Sequence, residues 1–330
     1  VPKRNLVMAY FSVFHNYIKQ KKNAIGLPIL ALIWISFFWG TTWIASKEGV
    51  KHMPPMQLVA LRQLFGGLLY LLYFLIKKHP WPNKRQWRTI LVLSVLNFML
   101  SNGLSTWGVK YISSGLGAII GSIFPLWIVI ISLFRGQKTS WKAVVGLIVA
   151  FGGICVIFYD YLNDFLEPEF RFGILLSVIA TFTWALSSIY IKENKTNFNP
   201  YFSLGLQMLI SSIVISSVIG FNGTSVPLTE IPAISWWSIG YLVVFGSVLT
   251  FIAFIYALEN LPTEISSLYA YINPMVALFF GYFVFQCRAY ILFGKFWLVR
   301  LAFERLGNVY VCLHQVFFVL TTPFNSSLSK

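Results

Sequence analysis

Apolar runs of about twenty residues recur along this chain from Leu27 onward, separated by short polar connections, and this repetition constrains the fold more than any other feature. At a rise of about 1.5 Å per residue, such a run forms a helix that crosses a hydrocarbon layer of about 30 Å. Only 11% of the 330 residues are charged, too few to cover a water-facing globule. Lipid is therefore the expected solvent. The runs place spans at roughly 27–46, 56–76, 89–109, 112–134, 141–159, 172–191, 200–220, 235–257 and 263–285, an all-α polytopic bundle of nine clear spans and a degenerate tenth. The first run is too long for a signal peptide's apolar region and no small-residue cleavage site follows it, so it is expected to stay attached.

A net charge of +15 in a soluble chain would point to nucleic acid. Here the basic residues sit in loops, which fits membrane anchoring and no nucleic-acid partner. One side of the bilayer collects Lys3, Arg4, Lys19, Lys21 and Lys22 of a basic segment 1–26, then Lys77, Lys78, Lys84, Arg85 and Arg88, then Arg135, Lys138, Lys142, Lys192 and Lys195. The other side has only Lys47, Lys51, Lys110 and Arg171, so the N-terminus is expected in the cytoplasm of an inner-membrane protein. Cys155, Cys287 and Cys312 have neither metal-site nor disulfide spacing, and nothing in the sequence asks for a metal or cofactor.

The chain matches itself. A shift of 145 residues aligns Trp39 with Trp184, Lys47 with Lys192, Glu48 with Glu193, Pro55 with Pro200 and Arg62 with Gln207. A shift of 149 then aligns Trp107 with Tyr256, Ser114 with Thr263 and Pro125 with Pro274, the change falling in a loop where insertions are tolerated. Residues 27–165 read as a first repeat and 166–286 as a second, spans six to nine. A unit with an odd number of crossings is followed by its copy in the opposite sense, so the repeats are expected to be inverted, with a route for cargo at their seam.

The stretches FFWGTTWIASK, PPMQLVALRQLFGG, WGVKYISSGLGAIIGSIFPLW and YALENLPTEISSLYAYINPMVALFFGY resemble the EamA-type ten-helix members of the drug/metabolite transporter superfamily, over residues 27 to about 285. The resemblance implies a bundle that exports or exchanges small metabolites, often amino acids, through a central cavity. It does not carry a substrate, and a homodimer stays open.

Arg62 is the one charged residue well inside a span; it either serves a solute or gate, or snorkels to the interface. Asn97, Asn102, Gln207 and Asn273 are amides in apolar runs that need partners from another helix or from a solute. Trp39 and Trp184, at equivalent depths, are candidate cavity walls, with Thr42, Ser187 and Ser188 nearby and Tyr269 and Tyr271 as further aromatics. Trp43, Trp107 and Tyr256 lie near span ends and read as interfacial belt. Pro125 and Pro274 are expected to remove a mid-span hydrogen bond and kink their helices, while Gly117, Gly121 and Gly281 read as packing positions.

No Asp or Glu lies deep in the nine spans, which argues against proton exchange through a membrane carboxylate. A lipid-modifying membrane enzyme would need paired carboxylates or a His cluster, and neither pattern occurs in the spans. Residues 287–330 depart from the repeat: Arg288, Lys295, Arg300, Glu304 and Arg305 interrupt the place of a tenth span. This tail is expected to be either an altered reading frame or an amphipathic terminal helix, and it alone favours an inactive or truncated relic over a working transporter.

Overall fold

The computed structural model describes residues 26–136, 152, 159, 163–194, 197–261 and 269–285, and the regular elements among them are all helical. Eight long helices are α1 (Gly26–Gly49), α2 (Pro55–Ile76), α3 (Lys84–Tyr111), α4 (Ser114–Phe134), α5 (Pro168–Glu193), α6 (Pro200–Phe221), α7 (Ala233–Asn260) and α8 (Tyr269–Phe285). Seven of them, α1 to α7, are long and apolar enough to cross a membrane. They correspond to the expected spans one to four and six to eight, and α8 to span nine. Most of expected span five and of the basic N-terminal segment, the tail and the degenerate tenth span lie outside the described residues.

Local chemistry sets the ends. α2, α5 and α6 start on Pro55, Pro168 and Pro200, where a missing N–H costs nothing because first-turn donors have no partner within the helix. α3 starts at Lys84, five residues before the expected position. Asn83 and Gln86 form a reciprocal cap, Oδ1 accepting from Gln86 N–H at 3.0 Å and Gln86 Oε1 from Asn83 N–H at 2.7 Å. Lys84, Arg85 and Arg88, read as loop, thus ride on the first turns of the helix.

The two prolines differ. α4 is broken at Ser122–Ile123, and Pro125 opens its second piece, Phe124–Phe134, rather than interrupting a continuous turn. Pro274 sits inside the continuous α8. The expected mid-span interruption is found at Pro125, where the break lets the proline fall in a first turn, while Pro274 lies within a helix that continues through it.

Two helices carry wide π-helical turns, Ser94–Asn102 within α3 and Leu242–Leu249 within α7. These coincide under the 149-residue shift to within a residue or two, a backbone likeness between the copies that residue identities do not reveal. Packing follows the same exchange. α1 packs on α7 and α8, α5 on α3 and α4, and α2 on α6; α3 touches α6 while α7 touches α2. α2 and α6 approach until a Cβ on Gly67 would stand 2.9 Å from the Gly205 carbonyl, the close contact small residues permit in lipid.

Polarity is distributed inside out. Leu27, Leu30, Ile33 on α1 and Ile213, Val218 on α6 are exposed, while Ser36, Arg62, Gln63, Ser94, Asn97, Gln207, Ser212 and Ser247 are buried. That is the arrangement of a bundle whose surroundings cannot hydrogen-bond. At one end, Lys47 Nζ donates to the carbonyls of Val109, Lys110 and Ile112, each at 2.9 Å, fastening the end of α1 to the end of α3. A cation there meets carbonyls without helical partners.

A polar cavity over an aromatic floor

α1 and α5 bring the two equivalent tryptophans together. Trp39 and Trp184 meet edge to face with ring centroids 6.2 Å apart, and Tyr269, Phe251 and Phe254 close on Trp39 at 5.1, 5.2 and 5.0 Å. A buried indole N–H needs an acceptor. Trp39 Nε1 donates to the Gly246 carbonyl at 3.1 Å, inside the π-helical turn of α7, and Trp184 Nε1 to Tyr269 Oη at 3.3 Å. This cluster floors a cavity of about 170 Å³.

From that floor the lining turns polar toward the end of the bundle that carries the α1–α2 and α3–α4 connections. Thr42 and Ser46 line it from α1, and Asn97, Ser101, Asn102, Ser105 and Thr106 from α3. These α3 positions repeat every three to four residues, one helical face. Trp43 also lines the cavity, and its indole occupies the space where a Cβ on Gly117 or Gly121 would stand 2.8 or 3.2 Å away. The expectation of a belt residue is corrected: α1 continues to Gly49, so Trp43 lies more than a turn inside, and two glycines of α4 make a slot for it.

Arg62 is the only charged residue among the described residues lining the cavity, and at 6% exposure it does not snorkel to water. Its Nε donates to Ser247 Oγ at 2.8 Å, and Gly246 leaves room for the guanidinium, since a Cβ there would sit 3.0 Å from Nη2. No carboxylate forms an ion pair with it among the described residues. A cation at mid-helix in a membrane costs about 2.5–3.5 kcal/mol, which a polar cavity or an anionic ligand offsets.

The amides divide. Asn97 Nδ2 donates to Gln207 Oε1 at 3.3 Å, while Asn97 Oδ1 and Asn102 Oδ1 are buried and accept no hydrogen bond among the described residues. Gln207 is further held by Ser203, its Nε2 donating to Ser203 Oγ at 3.0 Å. Asn273, with its amide oriented so that nitrogen meets acceptors, donates to the Tyr269 and Ser36 carbonyls at 3.1 and 2.8 Å and ties α8 to α1.

Of the residues singled out from sequence, Trp39, Thr42, Arg62, Asn97, Asn102, Trp184, Tyr269 and Asn273 line this one cavity. Four do not. Gln207 stands behind Asn97, Ser187 and Ser188 donate within their own helix to the Trp184 carbonyl at 2.9 and 2.8 Å, and Tyr271 is 37% exposed. Sequence reasoning missed Trp43, Ser101, Ser105, Thr106 and Thr181. The polar stripe Asn97, Ser101, Asn102, Ser105 at helical spacing was the signal that would have found the α3 members.

Helices that bury polar groups, expose apolar ones and enclose a polar cavity define a multi-pass membrane protein. The sequence pattern of the EamA-like transporter family matches residues 26–159 and again 171–293, and the chain belongs to that family. It is 28% identical over 259 residues to the uncharacterized inner membrane transporter YedA of Escherichia coli (strain K12), covering 77% of this chain and 82% of that one. It is 30% identical over 185 residues to the uncharacterized transporter YvbV of Bacillus subtilis (strain 168), covering 56% and 60%. A solved crystal structure shares the fold with a TM-score of 0.59 at 16% identity, covering 85% of this chain and 99% of that one.

Proposed function

We propose that this protein moves a small organic solute bearing an anionic group, of amino-acid-like size, across the inner membrane by alternating access between two inverted repeats. The observation that carries this reading is the buried guanidinium of Arg62 lining a cavity in whose polar wall two amide oxygens, Asn97 Oδ1 and Asn102 Oδ1, accept no hydrogen bond among the described residues. A carboxylate meets Arg62 by charge and geometry, and an ammonium or hydroxyl on the same solute meets the amide oxygens. The aromatic floor of Trp39, Trp184 and Tyr269 then receives the apolar part.

The exchanged packing of the two copies and their matching π-helical turns support inversion about a shared axis, with repeats at 27–165 and 166–286. With the N-terminus in the cytoplasm, the cavity faces outward, and the aromatic cluster closes it from inside. Rocking one copy against the other opens the opposite route.

Counterflow of radiolabelled amino acids in proteoliposomes tests the reading: the wild type accumulates a zwitterionic solute, and the Arg62→Ala variant does not. Failure across anionic and zwitterionic solutes removes the transport reading in favour of a relic. Inversion has its own measurement. In a cysteine-free background, Glu48→Cys and Glu193→Cys should react with an impermeant thiol reagent from opposite faces, and labelling from one face ends the inverted arrangement.

A further inference from the structure

A second hollow of about 430 Å³ lies on the flank of the bundle between α2, α6 and α7. Leu69, Tyr70 and Tyr73 of α2, Tyr201 of α6 and Ile252 of α7 wall it, and Leu69, Tyr73 and Ile252 are themselves exposed. It is open and mostly apolar. Four-residue spacing puts Leu69, Tyr73 and Lys77 on one face of α2, so Lys77 follows the groove's lining by one helical turn, with Lys78 next to it.

The end of α2 is held. Lys77 N–H bonds back to the Tyr73 carbonyl at 3.1 Å, Lys78 N–H to Leu75 at 3.0 Å and His79 N–H to Phe74 at 3.0 Å, while Lys78 takes a left-handed backbone with φ 51°. The two lysines therefore leave the helix at a defined place. Neither forms an ion pair among the described residues. Of the described carboxylates at this end, Glu193 is engaged by Arg135, and Glu259 lies within electrostatic reach of Tyr201 on the opposite rim.

We propose that this groove binds an anionic glycerophospholipid of the leaflet on the Lys77 side, one acyl chain along Leu69, Tyr73 and Ile252 and the phosphate headgroup on Lys77 and Lys78. An acyl chain alone would fill the groove without discrimination; paired cations at one rim add a preference for negative headgroups of about fivefold per lysine. The site also reaches the transport cavity through one side chain. Tyr70 forms its inner wall and donates to the Val248 carbonyl at 3.0 Å, next to Ser247, whose hydroxyl takes the hydrogen bond of Arg62. A bound lipid thereby braces the π-helical turn that holds Arg62.

The experiment uses the full chain in vesicles of phosphatidylethanolamine doped with phosphatidylglycerol carrying a diazirine in its acyl chain, and in a parallel sample with phosphatidylethanolamine carrying the same group. After irradiation, labelled peptides are mapped. The expected result is severalfold enrichment at Leu69, Tyr73 and Ile252 over Ile213 and Val218 on the lipid-facing side of α6, seen with the glycerol lipid and not with the ethanolamine lipid. Lys77→Ala with Lys78→Ala should reduce groove labelling to the ethanolamine level. Equal labelling by the two lipids, as a headgroup shared with Glu259 would produce, overturns the proposal, and so does labelling spread evenly over the helix faces. If the double variant fails to fold, the wild-type comparison between lipids still decides.

Discussion

The π-helical turns of α3 and α7 occupy equivalent places in the two copies, yet the molecule uses them in opposite ways. A π turn shifts the backbone register and leaves carbonyls without their usual helical donors. In α7 those groups are taken up: Trp39 donates to Gly246, Tyr70 to Val248, and Arg62 to the Ser247 hydroxyl. In α3, among the described residues, one donor reaches in from another helix, Gln63 Nε2 to the Phe98 carbonyl at 3.1 Å, Ser105 Oγ donates to the Asn102 carbonyl at 3.1 Å from within the helix, and Asn97 and Asn102 line the cavity with buried amide oxygens that accept no hydrogen bond. One copy of the irregularity anchors the cation; the other is the wall opposite it. A duplicated backbone feature thus supplies two roles once the side chains around it diverge, as they do where Arg62 in one copy is replaced by Gln207 at the equivalent place of the other.

The hardest test of this division compares those equivalent residues. Arg62→Ala should weaken solute binding by at least about 2 kcal/mol, about thirtyfold, because it removes the charge that a carboxylate would meet in a low-dielectric cavity. Gln207→Leu removes an amide that stands behind the wall and should shift apparent affinity severalfold at most. Substrate-protected thermal shift or counterflow reads both. Equal losses would mean that the two turns are not divided into anchor and wall.

What was legible beforehand explains why this division was not. Arg62 announces itself as a charge in an apolar run, and the seven helices long and apolar enough to cross a membrane follow from the runs alone. Ser247, which holds Arg62, is one serine among many and lies 185 residues away in sequence. The π turns have no residue signature, since the donors that stabilise them come from α1 and α2. Trp43 reads as interfacial until Gly117 and Gly121 are seen to open a slot for it across the cavity. The start of α3 was hidden by lysine and arginine in its first turns, whose cap depends on the pairing of Asn83 with Gln86.

A smaller effect separates the two tryptophans. Trp39→Phe keeps an aromatic ring in the floor but leaves the Gly246 carbonyl of the α7 turn without its donor and opens space, for a loss of about 2 kcal/mol in stability. Trp184→Phe opens comparable space but gives up only a bond to the Tyr269 hydroxyl, whose proton can turn to another acceptor, and should cost less. Thermal unfolding of the purified chain in detergent ranks them. A reversed order would place the anchoring role on the α5 side.

The smallest difference is expected between Tyr70 and Gln63, the donors from α2 to the two turns. Tyr70→Phe strips the Val248 carbonyl of its partner and should lower stability by about 1 kcal/mol. Gln63→Leu also strips a carbonyl, that of Phe98, but at the same time removes Gln63 Oε1, which is buried and itself accepts no hydrogen bond among the described residues. The gain from losing one orphan acceptor offsets the loss of one donor, so the melting temperature should hardly move. If Gln63→Leu melts as early as Tyr70→Phe, the α3 turn is held as firmly as the α7 turn, and its open amides belong to packing rather than to solute.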